Sequence, residues 1–471
     1  MHAYAERSLR SLAQELRAGG ITASALFEAC RARAEACDER FHTYIARDEE
    51  RGRKAAELAD LALALGRDLG PLMGIPLSVK DIYGLEGYRT HAGTPRALPE
   101  AWEAQGPLIE GVARGGAVFQ GKTHTVEFAF GGLGVNTHHG TPRNPWDSKA
   151  HRVPGGSSAG AGISLVEGSA LLAFGTDTAG SVRIPASMTG TVGFKPTYGY
   201  WPTQGIVPLS TSLDSPGFLV RSVADAAFAF PALEMALGHV TTAESPEALA
   251  IGGLRIGVPE SFFWDEMSPG VGEAVETALS ELERAGATLK PIRTPECAAA
   301  SEIFAKGGLA APELLATLRQ DLPEWHETLD AGVKARVDMA GELSAAEYIV
   351  RCRSFQRLAA KAVAWFRDVD VVATPTVPVT PPGVEEVAEP EAYKRNNLLA
   401  LRNTGVVNCL GMCALTMPVG LDAAGMPVGL HLIAPGHGMP GHGERRLLSA
   451  GLAAEGVLGQ AAERLGRPDL P

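Results

Sequence analysis

Cysteine is scarce in this sequence. Six cysteines occur in 471 residues: Cys30, Cys37, Cys297, Cys352, Cys409 and Cys413. Secreted domains that depend on disulfides are usually short and dense in cysteine, whereas reducing compartments keep thiols free. Cys30 and Cys37 lie seven positions apart on a predicted helix, so both are expected to face the core. We therefore predict that all six are structural thiols.

Long apolar stretches and positive charge are lacking as well. No apolar run reaches the roughly 18 residues that a transmembrane helix needs, and the segment Met1–Arg10 is polar, without an apolar signal core. The formal net charge is -12 and the pI is about 5.5, whereas nucleic-acid-binding proteins usually present a basic face. We expect a cytoplasmic protein without a membrane or nucleic-acid partner.

Motifs for metal catalysis are missing too. The sequence has no HExxH or comparable histidine spacing. Cys409 and Cys413 fall in the run Val406–Pro418, predicted to be a strand, and no further candidate ligands stand nearby. We therefore predict neither a metal nor a cofactor. A serine triad with histidine stays possible, because the histidine can come from anywhere in the fold.

The sequence does contain an alternation of helical and strand patterns. Helical spacing is present at Ser8–Leu16, Ala23–Cys37 and Ser222–Leu237, and strand patterns at Leu72–Val79 and Ile251–Pro259. This alternation predicts an α/β fold with a large mixed, mostly parallel β-sheet sandwiched between layers of α-helices. No repeat or linker divides the chain, so we predict a single domain over residues 1–471.

Two loops rich in glycine and hydroxyl groups mark the middle of the chain. The first is Gly155–Gly160 and the second is Gly175–Pro185, and Ser157 and Ser181 stand 24 positions apart. The mostly small and apolar segment between them is predicted to be buried. Glycine lets backbones approach closely and lets amide groups point into a cavity. Either loop alone could be a simple turn, but the pair favours a site with hydroxyl nucleophiles.

Lys80 directly follows an apolar run, Ile75–Val79, at the end of a predicted strand. A serine nucleophile needs a base, and lysine can act as one only if burial keeps it uncharged. The side chain of Lys80 could enter such a buried site. Alternatively, Lys80 forms a surface ion pair with the adjacent Asp81.

The two loops and the segment Gly74–Asp81 closely resemble the amidase signature family, whose members are serine hydrolases of amides with a Ser-Ser-Lys triad. The resemblance extends over most of the chain. It is most specific between Lys80 and Pro196, where it includes Arg143–Asp147 and Gly193–Thr197. It implies the amidase signature fold, an α/β architecture of the kind that the strand and helix patterns predict.

The resemblance also implies catalytic roles. Ser181 would be the nucleophile, and Ser157, which follows a cis peptide bond in the family, would pass the proton to Lys80. The reaction would form an acyl-enzyme that water hydrolyses, without a cofactor. The oxyanion hole would consist of four backbone amides, those of Thr178, Ala179, Gly180 and Ser181.

Further residues match supporting positions of the family. Three of them would hold the triad in place: Ser158, Asp177 and Arg183. Asp177 and Arg183 could instead be a structural ion pair without a kinetic role. Three residues of a glycine-rich loop would contact the substrate: Gly131, Gly132 and Leu133.

The sequence thus predicts a hydrolase of small aryl or alkyl amides. A carbamate or urea derivative is equally compatible, because its hydrolysis uses the same acyl transfer. The signature core would span about residues 70–220, and a variable, mostly helical substrate region about 298–367. Two alternatives are the glutaminase component of a tRNA-dependent amidotransferase and a non-catalytic binding protein on the same fold. A homodimer is possible by analogy with the family.

Overall fold

The computed structural model describes residue 4 and residues 7–436 and 443–471. Within these residues the helices are α1 (Leu9–Ala18), α2 (Ala23–Phe41), α3 (Glu49–Ala64), α4 (Pro107–Arg114), α5 (Ala159–Val166), α6 (Arg183–Thr189), α7 (Val223–Ala236), α8 (Val271–Arg284), α9 (Glu296–Ala305), α10 (Ala310–Asp321), α11 (Ala331–Ala340), α12 (Ala345–Ala362), α13 (Pro390–Cys409), α14 (Gly443–Leu458) and α15 (Ala461–Leu465). No helix among them is long and apolar enough to cross a bilayer.

All strands of the described residues belong to one sheet. The strands are β1 (Tyr44–Ala46), β2 (Pro76–Lys80), β3 (Val118–Thr123), β4 (Leu172–Asp177), β5 (Val192–Lys195), β6 (Ser215–Val220), β7 (Arg255–Pro259), β8 (Thr288–Ile292), β9 (Val371–Pro375), β10 (Cys413–Leu421) and β11 (Pro427–Ala434). Their order is β1-β3-β2-β4-β6-β5-β10-β11-β9-β7-β8.

The sheet is mixed, and its parallel pairings form two groups. Strands β3, β2 and β4 are parallel neighbours, as are β9, β7 and β8. The strands between the groups pair antiparallel. Helices flank the sheet, with α5, α6 and α13 in one contiguous group and α7, α8 and α14 in another. The predicted α/β fold, a large mixed sheet between helical layers, is confirmed; the single domain stays a prediction.

Capping residues in the sequence correctly predict where two helices begin. Helix α2 begins after Thr22, whose hydroxyl accepts a hydrogen bond from the Ala25 N–H, and α7 begins after Ser222, which caps in the same way. The six cysteines are free thiols, five of them buried and Cys352 partly exposed.

The predicted strand Val406–Pro418 is wrong in its first part. Residues up to Cys409 belong to α13, and β10 begins only at Cys413. A short, fully buried apolar run cannot be assigned to helix or strand by periodicity alone. Gly411, at a φ of 68°, reverses the chain between the two elements. Strand β7 likewise begins at Arg255, later than predicted, because a 3₁₀ turn occupies Ile251–Gly253.

The parallel pair β2 and β4 determines where the site forms. Val79 of β2 lies opposite Phe174 of β4, so both strands end at the same edge of the sheet. Lys80 is the last residue of β2, and the loop from Thr178 to Val182 follows β4 directly. In α/β sheets, the carboxyl ends of the strands are where ligands usually bind.

Helix α5 follows Ser157 and Ser158 in the chain, and Glu167 holds its C-terminal end. The buried Glu167 carboxylate accepts hydrogen bonds from Thr43 Oγ1 at 2.8 Å and from Ser169 Oγ at 2.5 Å. Arg33 of α2 donates to the Glu167 carbonyl at 2.8 Å. Burial raises the pKa of the Glu167 carboxyl to about 7.

Because the pKa of Glu167 is higher in the folded state than its ordinary value of 4.5, wild-type stability should fall as pH rises from about 4.5 to 7 and this carboxyl ionises. Glu167→Gln carries no such charge. Between pH 5 and 8, the free energy of unfolding of the variant should therefore improve relative to wild type by roughly 1–3 kcal/mol. Urea unfolding of both proteins at the two pH values measures this change.

Glu57→Gln, which replaces an exposed glutamate on α3, controls for the loss of one negative charge. A difference between Glu167→Gln and wild type that stays constant from pH 5 to 8 would contradict a raised pKa at Glu167.

Candidate active site

Lys80 is fully buried at the end of β2. Its Nζ donates to Ser157 Oγ at 2.7 Å and to Thr176 Oγ1 at 2.9 Å. Burial lowers the pKa of Lys80 to about 7, although the charges of Asp214 and Asp177 oppose the shift. The alternative of a surface pair with Asp81 is wrong: Asp81 is also buried, and its carboxylate pairs with Lys122 at 2.9 Å.

The loop that carries Ser157 is held by a neighbouring glycine-rich segment. The peptide bond between Gly156 and Ser157 is cis. The Gly156 N–H donates to the Gly132 carbonyl at 2.8 Å, and the Ser157 carbonyl accepts from the Val126 N–H at 3.2 Å. A Cβ on Gly156 would lie 2.6 Å from the backbone nitrogen of Gly134, so only glycine permits this approach.

The loop that carries Ser181 lies against the Ser157 loop. The Ser158 N–H donates to the Ser181 carbonyl at 3.3 Å. Thr404 of α13 donates from its hydroxyl to the Ala179 carbonyl at 2.7 Å. Ser181 is 3% exposed, so the loop is almost closed to solvent. The Ser158 hydroxyl lies 3.5 Å from the Thr176 carbonyl, a long contact.

Asp177 and Arg183 form a fully buried ion pair that spans the Ser181 loop. Arg183 donates to both carboxylate oxygens of Asp177, at 2.8 and 2.9 Å. The same carboxylate accepts from the backbone N–H of Gly180 at 2.8 Å and of Val182 at 3.2 Å. Burial would raise the pKa of Asp177, but the Arg183 guanidinium outweighs it and holds this pKa well below its ordinary value.

Arg183 has further partners that the sequence did not reveal. It donates to Asn408 Oδ1 of α13 at 2.5 Å and contacts His431 Nε2 of β11 at 2.9 Å. Burial, together with the charge of Arg183, lowers the pKa of His431 well below its ordinary value, so the ring is neutral and can accept this hydrogen bond. Neither residue lies in a recognisable motif, and Asn408 falls in the stretch that periodicity assigned to a strand.

One of the four amides predicted for the oxyanion hole has a different partner. The N–H of Gly180 donates to Asp177, so it does not face a substrate. Within the described residues, the N–H groups of Thr178, Ala179 and Ser181 have no protein acceptor. The Thr178 side chain donates to Asp214 at 2.5 Å, and burial raises the pKa of that carboxyl to about 6.

The predicted substrate loop packs directly against the Ser157 loop. The Gly132 N–H donates to Asn397 Oδ1 of α13 at 2.7 Å, and Gly131 lies beside Tyr393. The Leu133 side chain, in contrast, is fully buried in a hydrophobic cluster. Substrate contact by Gly131, Gly132 and Leu133 stays a prediction. Among the described residues, no group of histidine, cysteine and carboxylate side chains could hold a metal.

Removing the Asp177 carboxylate should destabilise the protein strongly. Asp177→Ala leaves the Arg183 charge buried and unpaired, which costs about 3–5 kcal/mol of unfolding free energy. Asp177→Asn keeps the shape and is expected to lose less. Urea unfolding of the two variants measures both losses.

A matched control removes a carboxylate from an exposed ion pair. Glu50 and Lys54 lie 2.6 Å apart with both side chains largely exposed, so Glu50→Ala should leave the stability almost unchanged, because exposed ion pairs contribute little. An equally small effect of Asp177→Ala would show that the buried pair is not a major support of the fold.

Comparison with known proteins agrees with this geometry. A family model described as Amidase matches residues 25–437. The chain is 51% identical over 467 residues to the 2-amino-5-chloromuconic acid deaminase of Comamonas testosteroni, covering 99% of each chain. It is 34% identical over 465 residues to an amidase of Pseudomonas putida, covering 95% of each. It is also 32% identical over 464 residues to a glutamyl-tRNA(Gln) amidotransferase component of Carboxydothermus hydrogenoformans, covering 90% of this chain and 93% of the relative.

Solved structures are similar as well. A crystal structure of an amidase has a TM-score of 0.83 at 30% identity and covers 95% of this chain and 100% of its own. A peptide amidase in complex with the competitive inhibitor chymostatin has a TM-score of 0.81 at 26% identity, covering 99% and 100%. The chain therefore belongs to the amidase family, and it is an enzyme that hydrolyses carbon–nitrogen bonds.

Proposed function

We propose that Ser181 is the nucleophile of this hydrolase, Ser157 its proton relay and Lys80 its general base. One observation carries the proposal: the fully buried Lys80 lies 2.7 Å from Ser157 Oγ. A serine hydroxyl is a weak nucleophile until a base accepts its proton. With a pKa of about 7, Lys80 has a large neutral fraction at physiological pH, and a base with a pKa near the working pH is the most effective.

In the first half of the reaction, Ser181 Oγ attacks the carbonyl carbon of the amide. Its proton moves to Ser157 while the proton of Ser157 moves to Lys80 Nζ. The electron pair of the carbonyl moves to oxygen, where the amides of Thr178, Ala179 and Ser181 would stabilise the charge. A single donor of this kind can lower the activation free energy by about 3–4 kcal/mol.

In the second half, the carbon–nitrogen bond breaks and the nitrogen takes back the proton from Lys80 through Ser157. The amine or ammonia leaves, and the acyl group remains on Ser181. Water then attacks this ester with Lys80 again as the base, so that the carboxylic acid and the free serine are formed. Asp177 acts by fixing the loop, because its carboxylate accepts from the backbone N–H groups of Gly180 and Val182, and Arg183 holds that carboxylate in place.

We further propose that the substrate is a small unsaturated acid that carries nitrogen, as an amide or an amino group. Support comes from the 51% identity to a protein named for 2-amino-5-chloromuconic acid, a dicarboxylic acid. In the imine tautomer of such an amino acid, the carbon that bears nitrogen is an electrophile like the amide carbon. Water that gives its proton to Lys80 through Ser157 adds to this carbon, and the resulting carbinolamine expels ammonia and leaves a 2-oxo acid, so this reaction would use the same base without an acyl-enzyme.

A glutaminase function has weaker support. Relatives named as glutamyl-tRNA(Gln) amidotransferase components are 32–33% identical to this chain, well below the deaminase. The isolated chain should therefore release ammonia from its substrate without partner proteins. A cytoplasmic location and a homodimer stay predictions.

A fluorophosphonate probe tests the catalytic residues. Intact mass should show one adduct on wild type and none on Ser181→Ala. The labelling rate should rise with pH through about 7, because the neutral form of Lys80 is the base, and Lys80→Met should lose most of the rate and this pH dependence. Loss of the base should slow labelling by about 100-fold or more.

The chain offers two matched controls for these variants. Lys195 is another fully buried lysine, but its Nζ donates to the Pro196 carbonyl at 2.6 Å. Ser187 is a buried serine in α6. Lys195→Met and Ser187→Ala should both keep the adduct. An adduct that survives in Ser181→Ala would mean that another residue is the nucleophile.

The substrate proposal is tested by the release of ammonia from 2-aminomuconic acid, fumaramic acid, benzamide and glutamine. We expect kcat/KM to be highest for the two unsaturated acids. A preference for benzamide would exclude a substrate that must carry a carboxylate. Glutamine hydrolysis that appears only with the other amidotransferase components would favour the glutaminase function.

A further inference from the structure

We propose that Thr404 of α13 is a positioning residue for the oxyanion hole, because its hydroxyl holds one peptide unit of the Ser181 loop. The inference rests on the proposed function, since it assigns a support to the same active centre. Thr404 is fully buried, and none of the catalytic steps described above uses its side chain.

The peptide unit between Ala179 and Gly180 is held at both of its polar groups. Thr404 Oγ1 donates to the Ala179 carbonyl at 2.7 Å, and the Gly180 N–H donates to Asp177 Oδ1 at 2.8 Å. The carbonyl and the N–H of a trans peptide unit point in opposite directions within one plane. The two hydrogen bonds therefore restrain the rotation of this plane from both sides.

The amides on either side of this peptide unit are free to bind an oxyanion. Among the described residues, the N–H groups of Ala179 and Ser181 have no protein acceptor. Each belongs to a peptide unit that shares a Cα atom with the one that Thr404 holds. The held unit is thus the common support of both donors, and preorganised donors are what stabilise a developing oxyanion.

The backbone of the loop packs closely against α13 at Gly180. This glycine has a φ of 132°, an angle that side chains disfavour. A Cβ on Gly180 would collide with the Thr404 hydroxyl and would lie 2.7 Å from Ile184 Cδ1. The absence of a side chain at Gly180 therefore brings the Thr404 hydroxyl within hydrogen-bond distance of the loop.

The same face of α13 also orients the acceptor of the Gly180 N–H. Asn408 lies one turn after Thr404, and residues four apart share a helix face. Its Nδ2 donates to the Asp177 carbonyl at 3.0 Å and to Asp177 Oδ1 at 2.9 Å. Helix α13 thus holds the carbonyl of the peptide unit directly, through Thr404, and its N–H indirectly, through Asp177.

A role confined to the helix is the competing explanation. The Thr404 hydroxyl also lies 3.3 Å from the Leu401 carbonyl, a contact that threonine commonly makes within its own helix. That contact is longer than the 2.7 Å bond to the Ala179 carbonyl, so the loop is the better acceptor. A helix support would affect stability alone, whereas a positioning residue would slow attack by Ser181 without changing the protonation of Lys80.

The first experiment measures the rate of fluorophosphonate labelling against pH. In Thr404→Val, which keeps the shape but lacks the hydroxyl, the plateau rate at alkaline pH should fall at least tenfold, because misplaced oxyanion donors stabilise the transition state less. The midpoint near pH 7 should not move, because Lys80, with a pKa of about 7, keeps its contacts. Thr404→Ser retains the hydrogen bond and should label within about threefold of wild type.

A matched control removes another buried threonine hydroxyl. Thr189 Oγ1 donates to the Pro185 carbonyl at 2.6 Å and is fully buried in α6. Thr189→Val should label at the wild-type rate. Equal rates in Thr404→Val and Thr189→Val, or a loss in Thr404→Ser as large as in Thr404→Val, would overturn the inference.

Hydrogen–deuterium exchange provides a readout that does not depend on which residue is the nucleophile. In a peptide fragment that covers residues 177–183, the slowest amides should exchange at least tenfold faster in Thr404→Val than in wild type or Thr189→Val, because the loop opens more easily. Unchanged exchange in Thr404→Val would also contradict the inference. If Ser181→Ala keeps the fluorophosphonate adduct, the catalytic proposal fails, while faster exchange in Thr404→Val would still support Thr404 as the residue that holds the loop.

Discussion

The buried ion pair of Asp177 and Arg183 is the contact on which the active centre depends. It joins the end of β4 to the start of α6, and its polar partners come from α13 and β11. Placing two charges in the core is costly, and the arrangement is stable only because the carboxylate and the guanidinium are surrounded by matching donors and acceptors. The Ser181 loop has no regular secondary structure, so this pair determines its conformation.

Lys80 and Lys122 show how the same sheet treats two buried lysines differently. Burial lowers the pKa of both. The Asp81 carboxylate lies 2.9 Å from Lys122 Nζ, so Lys122 forms a buried ion pair with a structural role. Among the described residues, the hydrogen bonds of Lys80 Nζ go to two hydroxyls, those of Ser157 and Thr176. Without a carboxylate in contact, the neutral amine is favoured, and this is the form that a general base requires.

The sequence was sufficient for the helix caps, the mixed sheet and the two glycine-rich loops, because each has a local signature. It was not sufficient for the residues that complete the ion-pair network. Asn408 and His431 lie more than 220 positions from Arg183 in the sequence, and no motif in the adjoining sequence indicates this contact. The Gly180 amide was misjudged for another reason. Its N–H donates to the Asp177 carboxylate at 2.8 Å, and a glycine in the sequence does not show which acceptor its amide will find.

The glycine-rich segment at the rim is held by different helices on its two sides. Gly132 accepts from the Ser157 loop and donates to Asn397 of α13, whereas Phe130 receives its hydrogen bond from α11. The backbone beside Ser157 is thus fixed independently of the helix that lies over its outer end. In evolutionary terms, this separation lets side chains of α11 diversify while the backbone of the Ser157 loop keeps its conformation.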